Sequence, residues 1–265
     1  MSGKRMRKSE LSDGFVLAAA TTGMVLWSLL ARDGRTSLIG LGAAAWFPVS
    51  VVLYRIVLRW MPVIGGLYGR PVQPGPQRRR EIIAGCLLTA SFSIVFLGCM
   101  PGQVAVADMV ALNFACLAAL LDRSERWMPT HILIPMLLLG LMNGIWKGNA
   151  DNAVLGAAAA WGCTLLVLVF IAVSARVSVL SSDDVTLAAA CGAWVGIGGL
   201  STFLLLTGFL YWVSCMLARY SSTSRAEGAG RHRSETIWIR STGLSFAVSL
   251  AVTMLLRDGG QILPG

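Results

Sequence analysis

The stretch 153–175 carries no charged residue from end to end. As a helix it is about 35 Å long at 1.5 Å per residue. The hydrocarbon core of a bilayer is about 30 Å thick and is crossed by roughly 20 apolar residues. Eight further segments are predominantly apolar, giving the series 14–31, 37–58, 82–100, 103–121, 131–146, 153–175, 185–199, 201–218 and 238–256. Only 13% of the 265 residues are charged, against roughly 25% in a soluble domain. That is too little charge to cover a water-facing surface. The expected fold is therefore all-α: a polytopic, integral membrane helical bundle of eight or nine spans. No long polar stretch separates two apolar blocks, so a single membrane-embedded domain over 1–265 is the expectation. The basic start, "MSGKRMRKSELSDG", precedes an apolar run without an evident small-residue cleavage site, and is read as leading into a retained first span.

The run 185–218 needs dividing. As one helix it is about 50 Å long, well beyond the hydrocarbon core. The glycines of "VGIGGLST" at its middle suit a tight turn. With nine spans and the N-terminus inside, eighteen of the 22 Lys and Arg residues fall on one face, the asymmetry that marks the cytosolic side. The exceptions are Arg32, Arg35, Lys147 and Arg257. Leaving 185–218 undivided would move Arg219, Arg225, Arg231, Arg233 and Arg240 to the other face. The clusters "QRRR" and "RHRS" are read as anchors against anionic membrane lipid, not as a nucleic-acid surface. The polar stretch 220–236 is read as a flexible cytosolic loop. Six cysteines, all in apolar runs and none in a CxxC pair, are read as small packing residues, with neither a disulfide framework nor a metal site.

The orientation brings two acids to one boundary. Asp122 follows "ACLAALL" at the end of the fourth segment, and Asp184 opens the seventh. Two carboxylates at close range do not both ionise, so one retains its proton. Such a pair can activate a water and protonate a leaving amine. Position alone also allows the plainer reading, in which each acid ends a helix at the water interface. Asp108, inside the fourth segment, is read as a structural or interfacial acid, and His131 as a helix-start residue.

Two short stretches bear on that choice. "LLDRSERWMPT" sets an aspartate after an apolar helix, then six residues, then a proline. "DDVTLAAACGAWVG" sets an aspartate two residues before a threonine, then a small-residue helix with Gly-Ala-Trp. Together they resemble the type IV prepilin peptidases, membrane aspartyl proteases of the GxGD type. The resemblance implies that Asp122 and Asp184 are catalytic, and that Pro129 is the loop proline. Thr130 stands where the family has asparagine, and Trp194 and Gly196 lie in the matching helix. "RRREIIAGCLL" resembles the family's Arg-Tyr-Pro-x-x-Glu-Leu segment, with Glu81 at its glutamate. The likeness runs from about 80 to 218. It divides the chain into divergent N-terminal spans with a basic loop (1–80), a peptidase core (81–218), and a cytosolic loop with the last span (219–265).

Departures are equally specific. Ser181-Ser182-Asp183 occupies the place of Gly-x-Gly, and Thr186 that of a lysine. Asp183 becomes a supporting acid. The segment "GGLYGRPVQPGPQRRRE" is short and cysteine-free where the family's bifunctional members carry a zinc-binding loop, which leaves N-methylation of the cleaved pilin open. The resemblance implies a bacterial inner-membrane aspartyl endopeptidase with its site facing the cytosol. It would cleave the leader from type IV prepilins or pseudopilins without cofactor or metal. Two other readings stay open: an inactive scaffold of a pilus or secretion machine descended from the peptidase, and a small proton-coupled transporter using the acids as a relay.

Overall fold

The computed structural model describes residues 34–66, 76–100, 102–125, 127–175, 182–223 and 242–259. Among them every regular element is a helix: α1 (Gly34–Ile64), α2 (Pro76–Cys99), α3 (Gly102–Glu125), α4 (Thr130–Trp146), α5 (Ala150–Ala175), α6 (Ser182–Thr223) and α7 (Thr242–Gly259). Five of these helices are long and apolar enough to cross a membrane, and α4 is a shorter apolar helix. Eight of the nine apolar segments fall on these helices, two of them on α6. Segment 14–31 lies outside the described residues, as do 238–241 of the last segment and 224–236 of the expected loop. Residues 220–223 are helical, continuing α6.

The chain gathers into two units, Met1–Met109 and Val110–Gly265. In the first, α1 and α2 pack together. Phe47, Val51, Tyr54 and Leu58 are buried at helical spacing, while Val49, Val52, Leu53 and Ile56 between them are exposed, the pattern of a helix with one face in lipid. The buried hydroxyls of α2 bond within their own helix, Thr89 to the carbonyl of Cys86 at 3.0 Å and Ser93 to that of Thr89 at 2.7 Å. Bonding back by one turn meets the donor's need without a partner helix.

In the second unit α4 and α5 form a tight hairpin. Gly148 takes φ +72°, a left-handed conformation that glycine adopts without steric cost. The N–H of Lys147 donates to Asn143 O at 3.0 Å, that of Gly148 to Ile145 O at 3.0 Å and that of Asn149 to Gly144 O at 2.8 Å, closing the end of α4. Trp194 fixes α6 against α4: its Nε1–H donates to the carbonyl of Met136 at 2.9 Å, and its ring lies against Gly140, where a methyl would come within 2.8 Å of it.

Helix α6 is two helices. Gly196 has φ 70° and ψ 173° inside it, and the contacts on either side show that the chain turns back there. On the first arm, 182–195, Gly192 meets Gly156 and Ala160 of α5, while Gly196 meets Asn152, nearer the start of α5. The first arm therefore runs antiparallel to α5. On the second arm, 197–223, Gly199 lies by Thr253 of α7 and Phe203 by Phe246, ring centroids 5.9 Å apart. The carbonyls of Trp194 and Val195 meet Arg257. Moving back along α7 from 257 to 246 thus follows the second arm away from the break. The division of 185–218 expected from its length falls at Gly196.

The loose backbone groups of this break are satisfied. Arg257 Nη1 donates to Trp194 O at 2.9 Å and Val195 O at 2.8 Å, capping the end of the first arm. Asn152 Oδ1 accepts from the N–H of Ile197 at 2.9 Å, capping the start of the second. Helix ends buried without such partners are strongly disfavoured. Asp258 holds Arg257 through Nε at 2.7 Å and Nη2 at 2.8 Å, and Lys147 Nζ stands 3.7 Å from the same carboxylate.

Of the five described cysteines, Cys86, Cys116 and Cys191 are buried as expected of packing residues; Cys99 and Cys163 are exposed. An apolar helix face turned to lipid accommodates a small thiol without burying it in protein.

Candidate active site

The cluster of Lys147, Asn152, Gly196, Arg257 and Asp258 marks one end of the second unit. The helices leaving it lead to the other end. From Val195 back to Asp184 the first arm of α6 covers about 16 Å, and from Arg257 back to Gly243 α7 covers about 21 Å, at 1.5 Å per residue. Thr130, at the start of α4, lies about 26 Å back from Lys147 on the same count. Asp122 joins this end through α7: its Oδ2 accepts the N–H of Gly243 at 3.3 Å. The end of α3 and the starts of α4, α6 and α7 thus lie at one end of the unit, and Asp122 and Asp184 with them.

Their local settings follow from the sequence. Asp122 lies three residues before the end of α3, after a run from Ala115 to Leu121 that is buried throughout. The carboxylate emerges where that run stops, and it is half-buried. Asp183 and Asp184 occupy the first turn of α6, where the exposed N–H groups and the helix dipole favour negative charge. Both are half-buried, and Val185 after them is buried. The hydroxyl of Ser182 donates to Asp183 Oδ1 at 3.2 Å, and that of Thr186 to the carbonyl of Ser182 at 2.9 Å. The threonine bond is of the local kind that satisfies a hydroxyl within its own helix.

Pro129 is buried and precedes α4 with φ −71° and ψ 129°, an extended conformation that stops the chain before the helix begins. Thr130, the first residue of α4, is exposed, as is His131. Glu81 is half-buried on α2, in the first unit. Ser182 and Asp183, at the second and third places of the resembled family's Gly-x-Gly, are helical. Ser181 lies outside the described residues.

Gly243 belongs to the site, and the sequence reading did not single it out. Its contact with Asp122 spans 121 residues, and nothing in "RSTGLSF" announces it. A methyl at 243 would stand 2.8 Å from Ala119 Cα and 3.3 Å from Asp122 Oδ2, so only glycine lets the two helices approach this closely. Asn152 and Arg257 escaped notice for the same reason, since their partners are backbone groups distant in sequence.

Residues 109–216 match the type IV leader peptidase family. A prepilin leader peptidase/N-methyltransferase of Neisseria gonorrhoeae is 25% identical over 135 residues, which cover 50% of this chain and 43% of that protein. The chain thus spans less than half the length of this curated relative. No solved structure matches. Both findings support the type IV prepilin peptidase family for this chain, and the family match rests on the segment that carries Asp122 and Asp184.

Proposed function

We propose that the protein is a membrane aspartyl endopeptidase that removes the leader from type IV prepilins or pseudopilins. The observation that supports this reading is that two acids lie at one end of a helical unit, within the segment similar to leader peptidases. A prepilin substrate joins a basic leader to an apolar helix. The helix lies in the membrane beside the enzyme's own helices, and the leader stays in the cytosol. The scissile bond then meets a site at the cytosolic boundary of the inner membrane.

In this mechanism Asp122 and Asp184 share one proton between them, as close carboxylates do. The ionised member takes a proton from water as its oxygen attacks the peptide carbonyl. The protonated member hydrogen-bonds the carbonyl oxygen, and the departing amine receives a proton as the C–N bond breaks. Asp183, engaged with Ser182, and Pro129 with Thr130, at the start of α4, support the arrangement. Neither step uses a metal or cofactor.

The test is direct. Purified full-length protein in detergent is incubated with a prepilin-type substrate, a basic leader joined to about 20 apolar residues, and the shortened product is sought by mass spectrometry. Cleavage by the wild type, abolished in Asp122→Asn and in Asp184→Asn, is the expected result. No cleavage across several such substrates would favour the inactive scaffold instead, a reading supported by Ser181-Ser182-Asp183 in place of the family's Gly-x-Gly. Cleavage that survives both substitutions would remove the aspartyl mechanism.

A further inference from the structure

We propose that Gly243 is a positioning residue for Asp122, so that the last helix of the chain, outside the segment similar to leader peptidases, completes the peptidase site. The inference rests on the peptidase reading above.

Asp122 lies near the C-terminal end of α3, where the helix dipole presents its negative end and no backbone N–H of α3 is free to hold a carboxylate. A donor comes from another helix. The N–H groups of the first turn of α7 have no partners within α7, and that of Gly243 points to Asp122 Oδ2 at 3.3 Å. Two independent features make the contact specific. The donor reaches the carboxylate from the positive end of an 18-residue helix. The approach is so close that a Cβ on residue 243 would meet the backbone of α3 at Ala119 Cα, 2.8 Å away, an atom that cannot swing aside as a side chain would.

A hydrogen bond from a fixed N–H orients the carboxylate and favours its ionised form. The last helix therefore does two things for Asp122: it sets the orientation of the group, and it favours the charged member of the pair. Among the described residues, other charged or titratable side chains placed at this end include Arg123 on α3, His131 at the start of α4, and Asp183 and Asp184 at the start of α6; the variants below leave all four in place.

Wild type and Asp122→Asn are assayed first, and loss of cleavage in the latter shows that the peptidase reading holds. Gly243→Ala keeps the N–H and adds the methyl. Gly243→Pro removes the N–H and places its ring carbons in the same space, at a helix start whose backbone geometry accepts proline. Both should lower kcat, by about a hundredfold for an ångström-scale displacement of a catalytic group, with KM unchanged. The acid limb of the pH profile should move to higher pH, furthest in Gly243→Pro. Wild-type activity in both variants, or lost activity with an unmoved acid limb, would overturn the assignment.

Hydrogen exchange on the full-length chain in detergent gives a readout independent of turnover and of whether the Gly243 variants fold. The amide of Gly243 should exchange about tenfold faster in Asp122→Ala than in wild type, the equivalent of one hydrogen bond. An equal rate would overturn the proposal. Absence of cleavage in the wild type itself would overturn the peptidase reading, and this inference with it.

Discussion

Asp122 and Asp184 occupy opposite helical contexts, one three residues from the end of α3 and the other in the first turn of α6. A negative charge is disfavoured at the first position and favoured at the second by the backbone dipoles alone. Gly243 corrects the first, and Ser182 takes up the neighbour of the second by donating to Asp183 Oδ1. Asp183 is thus engaged at the helix start, and adjacent residues on a helix point about 100° apart, so one face cannot present both acids equally. Asp183→Asn should therefore retain measurable leader cleavage where Asp184→Asn has none, at equal protein levels. The reverse ranking in a cleavage assay would exchange the two assignments. Both candidate acids were legible in the sequence because each ends or opens an apolar run within a short spaced motif. Gly243 was not, because its role depends on where a helix 121 residues away comes to rest.

At the scale of elements, the apolar runs foretold the helices, and the length of 185–218 foretold that α6 must break. The glycines of "VGIGGLST" marked the region but not the residue. What selects Gly196 over Gly198 is tertiary: a Cβ at 196 would stand 3.0 Å from Asn152 Nδ2, whereas one at 198 meets nothing within 4 Å. The first arm of α6 and α5 touch backbone to backbone here, since a Cβ at Gly156 would lie 2.5 Å from Gly192 O and 2.6 Å from Gly196 Cα. Small residues permit this close packing between membrane helices. Gly156→Ala should therefore destabilise the protein by about 1–3 kcal/mol, the usual cost of overpacking. Gly162→Ala, on the same helix with open space around it, should be neutral or gain up to about 1 kcal/mol. Thermal unfolding in one detergent distinguishes them, and equal effects would refute the close approach. The far end of the break is sensitive to pH. Burial raises the Asp258 carboxyl, but the hydrogen bond and charge of Arg257, and then the charge of Lys147, outweigh it and hold the group below its ordinary value. A depressed native value means that the stabilisation is complete above the unfolded value of about 3.9 and is lost as pH falls through the native one. Asp258→Asn should accordingly unfold at a lower temperature than wild type at neutral pH, with the gap closing in acid from about pH 4 downward. A gap independent of pH would show that the carboxylate charge is not what matters.

For the whole molecule, the question that decides the mechanism is which side of the membrane the two acids face. The contacts of the second unit put Asp122, Thr130, Asp184 and Gly243 at one end and Lys147, Gly196 and Arg257 at the other. With nine spans, eighteen of the 22 basic residues are expected on the face that holds the acids, and such an excess predicts a cytosolic face. Two of the four exceptions have a structural occupation. Lys147 lies 3.7 Å from Asp258, and Arg257 caps the carbonyls left open at the Gly196 break. These cations are therefore fixed by the helix break at the far end, and their presence there does not weaken the asymmetry. Exposed positions at the two ends give the test. In a background lacking the native cysteines, Ser182→Cys should react with a membrane-impermeant thiol reagent only after the cells are permeabilised. Asn149→Cys, in the turn between α4 and α5, should react in intact cells. Opposite labelling would put the acids outside, where a prepilin leader retained in the cytosol cannot reach them. Labelling of both positions in intact cells would mean that these two ends are not separated by a membrane, and the intramembrane placement of the second unit would fail with the mechanism.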